Sequence, residues 1–440
     1  MRDLLIALIV FGSIPFILIR PYLGLLIWSW LGYMNPYRLA YGFAYSFPWV
    51  EIIAIITIIS LILSKESKKL PITPISALLF LFLVLTGITT IFAVQADSAW
   101  QAWQEFAKTM VMVFVTLIVV NNRQRMHWLV WIIVFSLGFY GVKGGLFTLL
   151  KGGNYHVYGP SRSFIADNND LAMALCMTLP LIRYLQFQAS RKAVRVAFGL
   201  VMILTGVAVL GTYSRGGMIA LAVVSGVLFL KSRRRLAVVA VVVLLGFTTL
   251  HFMPARWIER MNTLQHPEKI ETGETRIQSW EFAMNVAIHR PLVGGGFNVY
   301  QSDPMWERYG PEGAKPRAVH SIYFRALGEQ GFPGLVLFVG LLIASWWSCA
   351  HVRKRRREVP EEKWTHDLAS MLQVSLVAFA IGGAFLPMTY FDLTYQLMAL
   401  CALLESYMLR QPESTAIADL QDNGTVSLTK HIHQHDALSE

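Results

Sequence analysis

The sequence predicts an all-α, polytopic membrane protein of roughly twelve transmembrane helices with one large, partly helical loop on its outer face. Three observations predict it. Hydrophobic residues fill 55% of the 440 positions and charged residues only 15%. Mean hydropathy is +0.49, the composition of a chain largely dissolved in lipid. Apolar runs approaching the roughly 20 residues that cross a bilayer recur from end to end. One long polar stretch, residues 254–331, interrupts them.

The runs lie at 4–19, 23–33, 50–63, 75–92, 106–120, 128–150, 171–187, 194–210, 218–230, 236–252, 333–348, 371–386 and 393–409. The second is too short to span unaided, and Arg20-Pro21 marks a break before it, so the N-terminal pair reads as a hairpin or re-entrant pair. The first run lacks the basic flank and small-residue cleavage site of a signal peptide. Cys176, Cys349 and Cys401 fall in separate runs and read as small buried hydrophobes. The expected divisions are an N-terminal bundle (1–253), a folded cap (254–331), C-terminal helices (332–410) and a disordered cytoplasmic tail (411–440).

A net charge of +11 would suit nucleic acid, but its placement encodes topology instead. Lys and Arg concentrate at 65–69, 123–125, 191–195, 231–235 and 353–357, while 94–103 and 387–391 contain none. Basic short loops stay in the cytoplasm. That leaves 155–167, the 211–217 turn and the whole cap outside, in the periplasm if the cell has one. No internal repeat stands out, which argues against an inverted-repeat transporter. Lys108, Lys143 and Arg183 lie near span ends, against a lipid flippase.

The chemistry-bearing residues sit on that outer face. Thr212-Tyr213-Ser214-Arg215-Gly216-Gly217 joins two spans where arginine should be rare. Its glycines allow close approach, Ser214 can cap the next helix, and a guanidinium fork suits a diphosphate. The plain alternative for Arg215 is snorkelling to lipid phosphates. Arg276 opens a helix on which Trp280 shares its face. On spacing alone a solvated pair with Glu281 explains Arg276. Pro291-Leu292-Val293-Gly294-Gly295-Gly296 is a turn whose amides can approach a ligand, without the ending of a phosphate loop. Of eleven histidines, His320 is the candidate base: it starts a segment that must re-enter the membrane, ahead of Gly328-Glu329-Gln330-Gly331. Its plain alternative is capping that helix. Asp167 and Asp170 read as helix-start residues, and as a metal pair they lack further ligands. Asp392 could orient an arginine or the histidine. Tyr213, Arg162 and Arg290 complete the supporting candidates. No nucleotide loop, zinc cluster or nucleophile elbow is present, so neither metal nor cofactor is expected.

Three motifs in order, Ser214-Arg215-Gly216-Gly217, Arg276 to Trp280 with the 291–296 turn, and His320-Ser321 through Phe324-Arg325-Ala326-Leu327-Gly328-Glu329 to Gly331, resemble the O-antigen ligases. Related to these are the O-antigen polymerases and the exosortase-associated O-glycosylation ligases, and the N-terminal third looks more like the last. The resemblance implies a glycosyltransferase C-like membrane enzyme of the bacterial inner membrane with a periplasmic site. It implies transfer of a glycan from undecaprenyl diphosphate to a hydroxyl of lipid A–core, inverting and metal-independent, with membrane lipids as the other partners. Carried over by motif, Arg215 and Arg276 hold the diphosphate and His320 is the base. The alternatives are a polysaccharide polymerase or protein O-glycosylation ligase using the same donor, and more remotely a transporter.

Overall fold

The computed structural model describes residues 1–231, 236, 239–240, 243–244, 246–247, 253–262, 271–355 and 362–410. The expected span at 236–252, basic residues 232–235 and 356–357, His251, His266 and the tail lie wholly or partly outside the described residues. Every regular element among the described residues is a helix, and none is a strand.

In order the helices are α1 (Arg2–Ile19), α2 (Pro21–Met34), α3 (Trp49–Leu63), α4 (Pro74–Ile91), α5 (Ala96–Val119), α6 (Arg123–Leu150), α7 (Asn168–Gln188) and α8 (Lys192–Gly211). There follow α9 (Arg215–Lys231), α10 (Ala255–Asn262), α11 (Glu271–His289), α12 (Asp303–Tyr309), α13 (Ile322–Arg355), α14 (Lys363–Gly382) and α15 (Asp392–Arg410). Local signals fix their starts. Pro21 opens α2, Thr73 and Ser76 form a reciprocal capping box at α4, and Asn122 caps α6 through Arg125 N at 3.0 Å.

Among the described residues seven helices, α1, α4, α5, α6, α8, α13 and α14, are long and apolar enough to cross a membrane. This is a polytopic membrane protein. The other described runs fold as α2, α3, α7, α9 and α15, which are shorter or more polar. The 23–33 run indeed makes a short helix, α2, that packs on α3 and α6.

The core sits around α7, α14 and α15. Residues 171–182 of α7 and 393–404 of α15 are buried without interruption. A helix buried on every side tolerates polar residues because protein, not lipid, surrounds them. The peripheral α1 instead turns Leu4, Leu8, Phe16 and Ile19 outward.

The chain's course puts the starts of α7, α9, α13 and α15 and the ends of α8 and α14 at one end of the bundle. The basic residues gather at the other. There Arg125 pairs with Glu66 at 2.6 Å, Arg123 lies over the Trp364 ring at 5.4 Å, and Lys231 and Arg353 both reach Gln373. The cap has its own small core, in which Phe282 stacks on Trp306 at 4.2 Å beside Val286, Val299 and Met305.

Candidate functional site

The site begins with the turn into α9. Tyr213 holds a left-handed backbone (φ 60°) that non-glycine residues rarely adopt. Its hydroxyl donates to Gly153 O at 2.6 Å, and its ring packs edge-on to His156, 4.3 Å between centroids. Asn168 Nδ2 donates to Thr212 O at 2.7 Å, so the turn is pinned from both sides. Ser214 Oγ accepts from Gly217 N at 3.0 Å, the cap expected from the sequence. Arg215 is thus the first residue of a helix whose amides and dipole favour an anion. The following glycines are contact points: a Cβ on Gly217 would lie 2.6 Å from Ala172 Cβ, and one on Gly216 3.3 Å from Leu386 Cγ.

Leu386 leads to the hub. A short 3₁₀ turn, Gly383–Phe385, follows α14. Gly216 packs on Leu386 and Gly382 at one side of it; on the other, a Cβ on Gly383 would lie 2.8 Å from Ile322 Cδ1, two residues past His320. Phe385 faces Trp280 at 6.5 Å. All three sequence motifs therefore pack on one turn near the end of the bundle.

Helices α11 and α13 fix the second relationship. Trp280 stacks on Phe324 with centroids 5.1 Å apart and planes 6° from parallel, and a Cβ on Gly328 would lie 3.0 Å from Ala283 Cβ. The two helices thus run in parallel register. Arg276 lies one turn before Trp280 on α11, and His320 stands two residues before α13 begins, within reach of the Arg276 charge. Burial, and then the positive field of Arg276, hold the half-buried His320 imidazole below its ordinary pKa, while Asp167 opposes the shift. Asp167 also caps α7, accepting from Asn169 N at 2.8 Å.

The 291–296 turn does something other than present amides to a ligand. Gly294 N donates to Arg290 O, Gly295 N to Gly328 O and Gly296 N to Glu329 O, each at 2.9 Å. Phe332 N donates to Pro291 O at 2.9 Å in return. The turn is a clasp around the kink of α13, where Gly331 takes φ 69°, ψ −170°. Glu329, 1% exposed, seals it: Oε1 accepts from Asn298 N at 3.0 Å and from Arg325 Nε at 3.2 Å. Arg325 also donates to Pro387 O at 2.6 Å and lies between the rings of Tyr300 and Tyr390 at 5.3 and 5.2 Å.

The supporting candidates separate. Tyr213 shapes the Arg215 turn. Arg290 donates to Gly294 O at 2.6 Å and to Phe92 O, tying the clasp to the α4–α5 turn. Asp392 accepts from Thr109 Oγ1 at 3.3 Å on α5, and Arg162 lies over the Tyr45 ring at 5.9 Å. Sequence reasoning missed the Gly383–Phe385 hub, the Arg325–Glu329 pair and the coupling of Asp167 to His320. The Gly-Gly-Ala-Phe break ending an apolar run was the available signal for the first.

Residues 200–339 match the family model described as O-antigen ligase. Residues 1–190 match a family of unknown function (DUF5935). No curated protein matches the chain. Arg215, Arg276, His320 and the clasp all lie inside the first of these stretches, over which the chain is similar to the O-antigen ligase family.

Proposed function

We propose that the protein transfers a finished glycan from undecaprenyl diphosphate to a hydroxyl of lipid A–core at the outer face of the bacterial inner membrane. The observation that carries this reading is that the segments bearing Arg215, Arg276 and His320 pack on the Gly383–Phe385 turn and its flanks. A histidine held below its ordinary pKa is neutral at neutral pH and can accept a proton. In the reaction the acceptor O–H proton passes to the His320 imidazole as the oxygen attacks the sugar C1. The C1–O bond to the diphosphate breaks, and its electron pair leaves on the diphosphate oxygen. Arg215 and Arg276 bind that growing charge, a contribution of roughly 10²–10³ in rate for one such donor. Attack opposite the diphosphate inverts the anomeric centre. The positive-inside rule supports the orientation, since the basic end lies opposite His320.

A second reading is transfer to a protein hydroxyl, since the N-terminal third resembles the exosortase-associated O-glycosylation ligases. The test is purified protein with undecaprenyl-diphosphate glycan and rough lipopolysaccharide, the products read on a gel with and without chelator. The reading expects one glycan per lipid A–core, undiminished by chelator. A ladder of lengths left on the carrier lipid signals a polymerase, and transfer only to added protein the second reading.

A further inference from the structure

Between α13 and α14 lies a lipid-facing apolar groove of about 270 Å³, lined by Val339, Ile343 and Trp346 from one helix and Leu376, Val377 and Ala380 from the other. Its rim is open, with Ile343 52% and Trp347 59% exposed. Tyr323 closes the end nearer His320, because its hydroxyl donates to Ala380 O at 2.8 Å and ties the helices together.

The opposite end carries charge. Gln373 lies one turn before Val377, and Arg353 two turns past Trp346, so helical periodicity places both on the groove face. Gln373 Nε2 donates to Trp346 O at 3.0 Å. Its Oε1 accepts from Arg353 Nη1 at 2.7 Å and from Lys231 Nζ at 3.3 Å. Lys231 also donates to Ser370 Oγ at 3.1 Å. Two cations thus share one neutral amide oxygen. Among the described residues no carboxylate lies within ion-pair distance of either. Arg353 Nε is shielded from solvent and has no hydrogen-bond partner among them. Like charges held together with no carboxylate beside them among the described residues leave a place for an anion.

We infer that the groove and its cation pair form a binding site for an anionic phospholipid from the leaflet at the basic end. One acyl chain fills the groove and the phosphodiester meets Lys231 and Arg353. The helix rises roughly 9 Å between Trp347 and Arg353, the separation of a head group from the start of its chain. The apolar track selects a lipid over a free phosphate, and the paired charge selects an anionic head group over a zwitterionic one. The Tyr323 closure turns away a polyprenyl chain arriving from the His320 end. Bound there, the lipid joins α9, α13 and α14.

The full-length protein in detergent, mixed with dioleoylphosphatidylglycerol or dioleoylphosphatidylcholine, tests this by native mass spectrometry of retained lipid. Preferential retention of phosphatidylglycerol is expected, falling about fivefold for each of Lys231→Gln and Arg353→Gln. Val377→Trp, which fills the groove, lowers retention of both lipids, with Val339→Trp as a second filling variant should the first elute as aggregate. Equal retention of the two lipids overturns the proposal, as does an unchanged preference in the Lys231→Gln/Arg353→Gln double variant. Full displacement by inorganic phosphate overturns it in favour of a simple anion site. Stronger competition by a polyprenyl phosphate than by phosphatidylglycerol reassigns the groove to the donor's tail.

Discussion

Trp280 and Phe324 stack ring on ring, 5.1 Å apart, and this contact joins the helix of Arg276 to the helix that follows His320. Stacked aromatic pairs contribute about 0.5–1.5 kcal/mol beyond the area they bury. The larger consequence is positional, since an ångström of misplacement at a reacting centre costs on the order of 10² in rate. Trp280→Ala is therefore expected to lower glycan transfer roughly 10²-fold while Trp280→Phe keeps most of it. A wild-type rate in Trp280→Ala would show that the stack does not set the register.

The pH profile reports the charges around His320. Burial and Arg276 lower its pKa and Asp167 raises it. The base works when neutral, so kcat/KM falls as pH drops through that pKa. Removing a group that lowers the pKa moves the acid limb to higher pH; removing one that raises it moves the limb lower. Arg276→Gln should therefore shift the limb up and Asp167→Asn shift it down. Limbs moving the other way would mean that another group titrates.

Gly331 is the hinge of the clasp. With φ 69° and ψ −170° it occupies a region reserved for glycine, and a Cβ there would lie 2.5 Å from Pro291 O. Strain of this kind costs about 1–3 kcal/mol before the clash is added. Gly331→Ala should lower the unfolding midpoint in detergent and expose the cap to protease. Gly340→Ala, where a Cβ meets nothing within 4 Å, is the control. Equal melting of the two variants would remove the clasp from the account.

Arg325 and Glu329 form a buried pair, with side chains 16% and 1% exposed. Breaking such a pair from one side costs about 3–5 kcal/mol, because the remaining charge is left unpaired. Glu329→Leu should destabilise by that order and Arg325→Met/Glu329→Leu by less, read as a double-mutant cycle on thermal unfolding. Simple additivity would show that the pair is not coupled.

Much of this architecture was legible because its signals are local. Ser214 precedes its helix by one residue and accepts from Gly217 N; Asp167 does the same at α7. Every apolar run in the described residues coincides with a helix. The 291–296 turn shows where local reading stops. Its glycines announced close backbone approach, but the partners are the carbonyls of Gly328 and Glu329, more than thirty residues away, rather than a ligand. The Gly328-Glu329-Gln330-Gly331 run ahead of the 333–348 span was legible too: Gly331 leaves helical φ/ψ there and kinks α13. The Gly383–Phe385 hub was invisible because its role consists of what packs on it.

The central claim is that His320 takes the acceptor's proton beside a diphosphate held by two arginines. The most direct measurement is glycan transfer by purified His320→Ala protein, supplied with undecaprenyl-diphosphate glycan and rough lipopolysaccharide, alongside donor binding. The account predicts transfer reduced by about 10²–10⁴-fold with donor still bound. Transfer at the wild-type rate by that variant would contradict it.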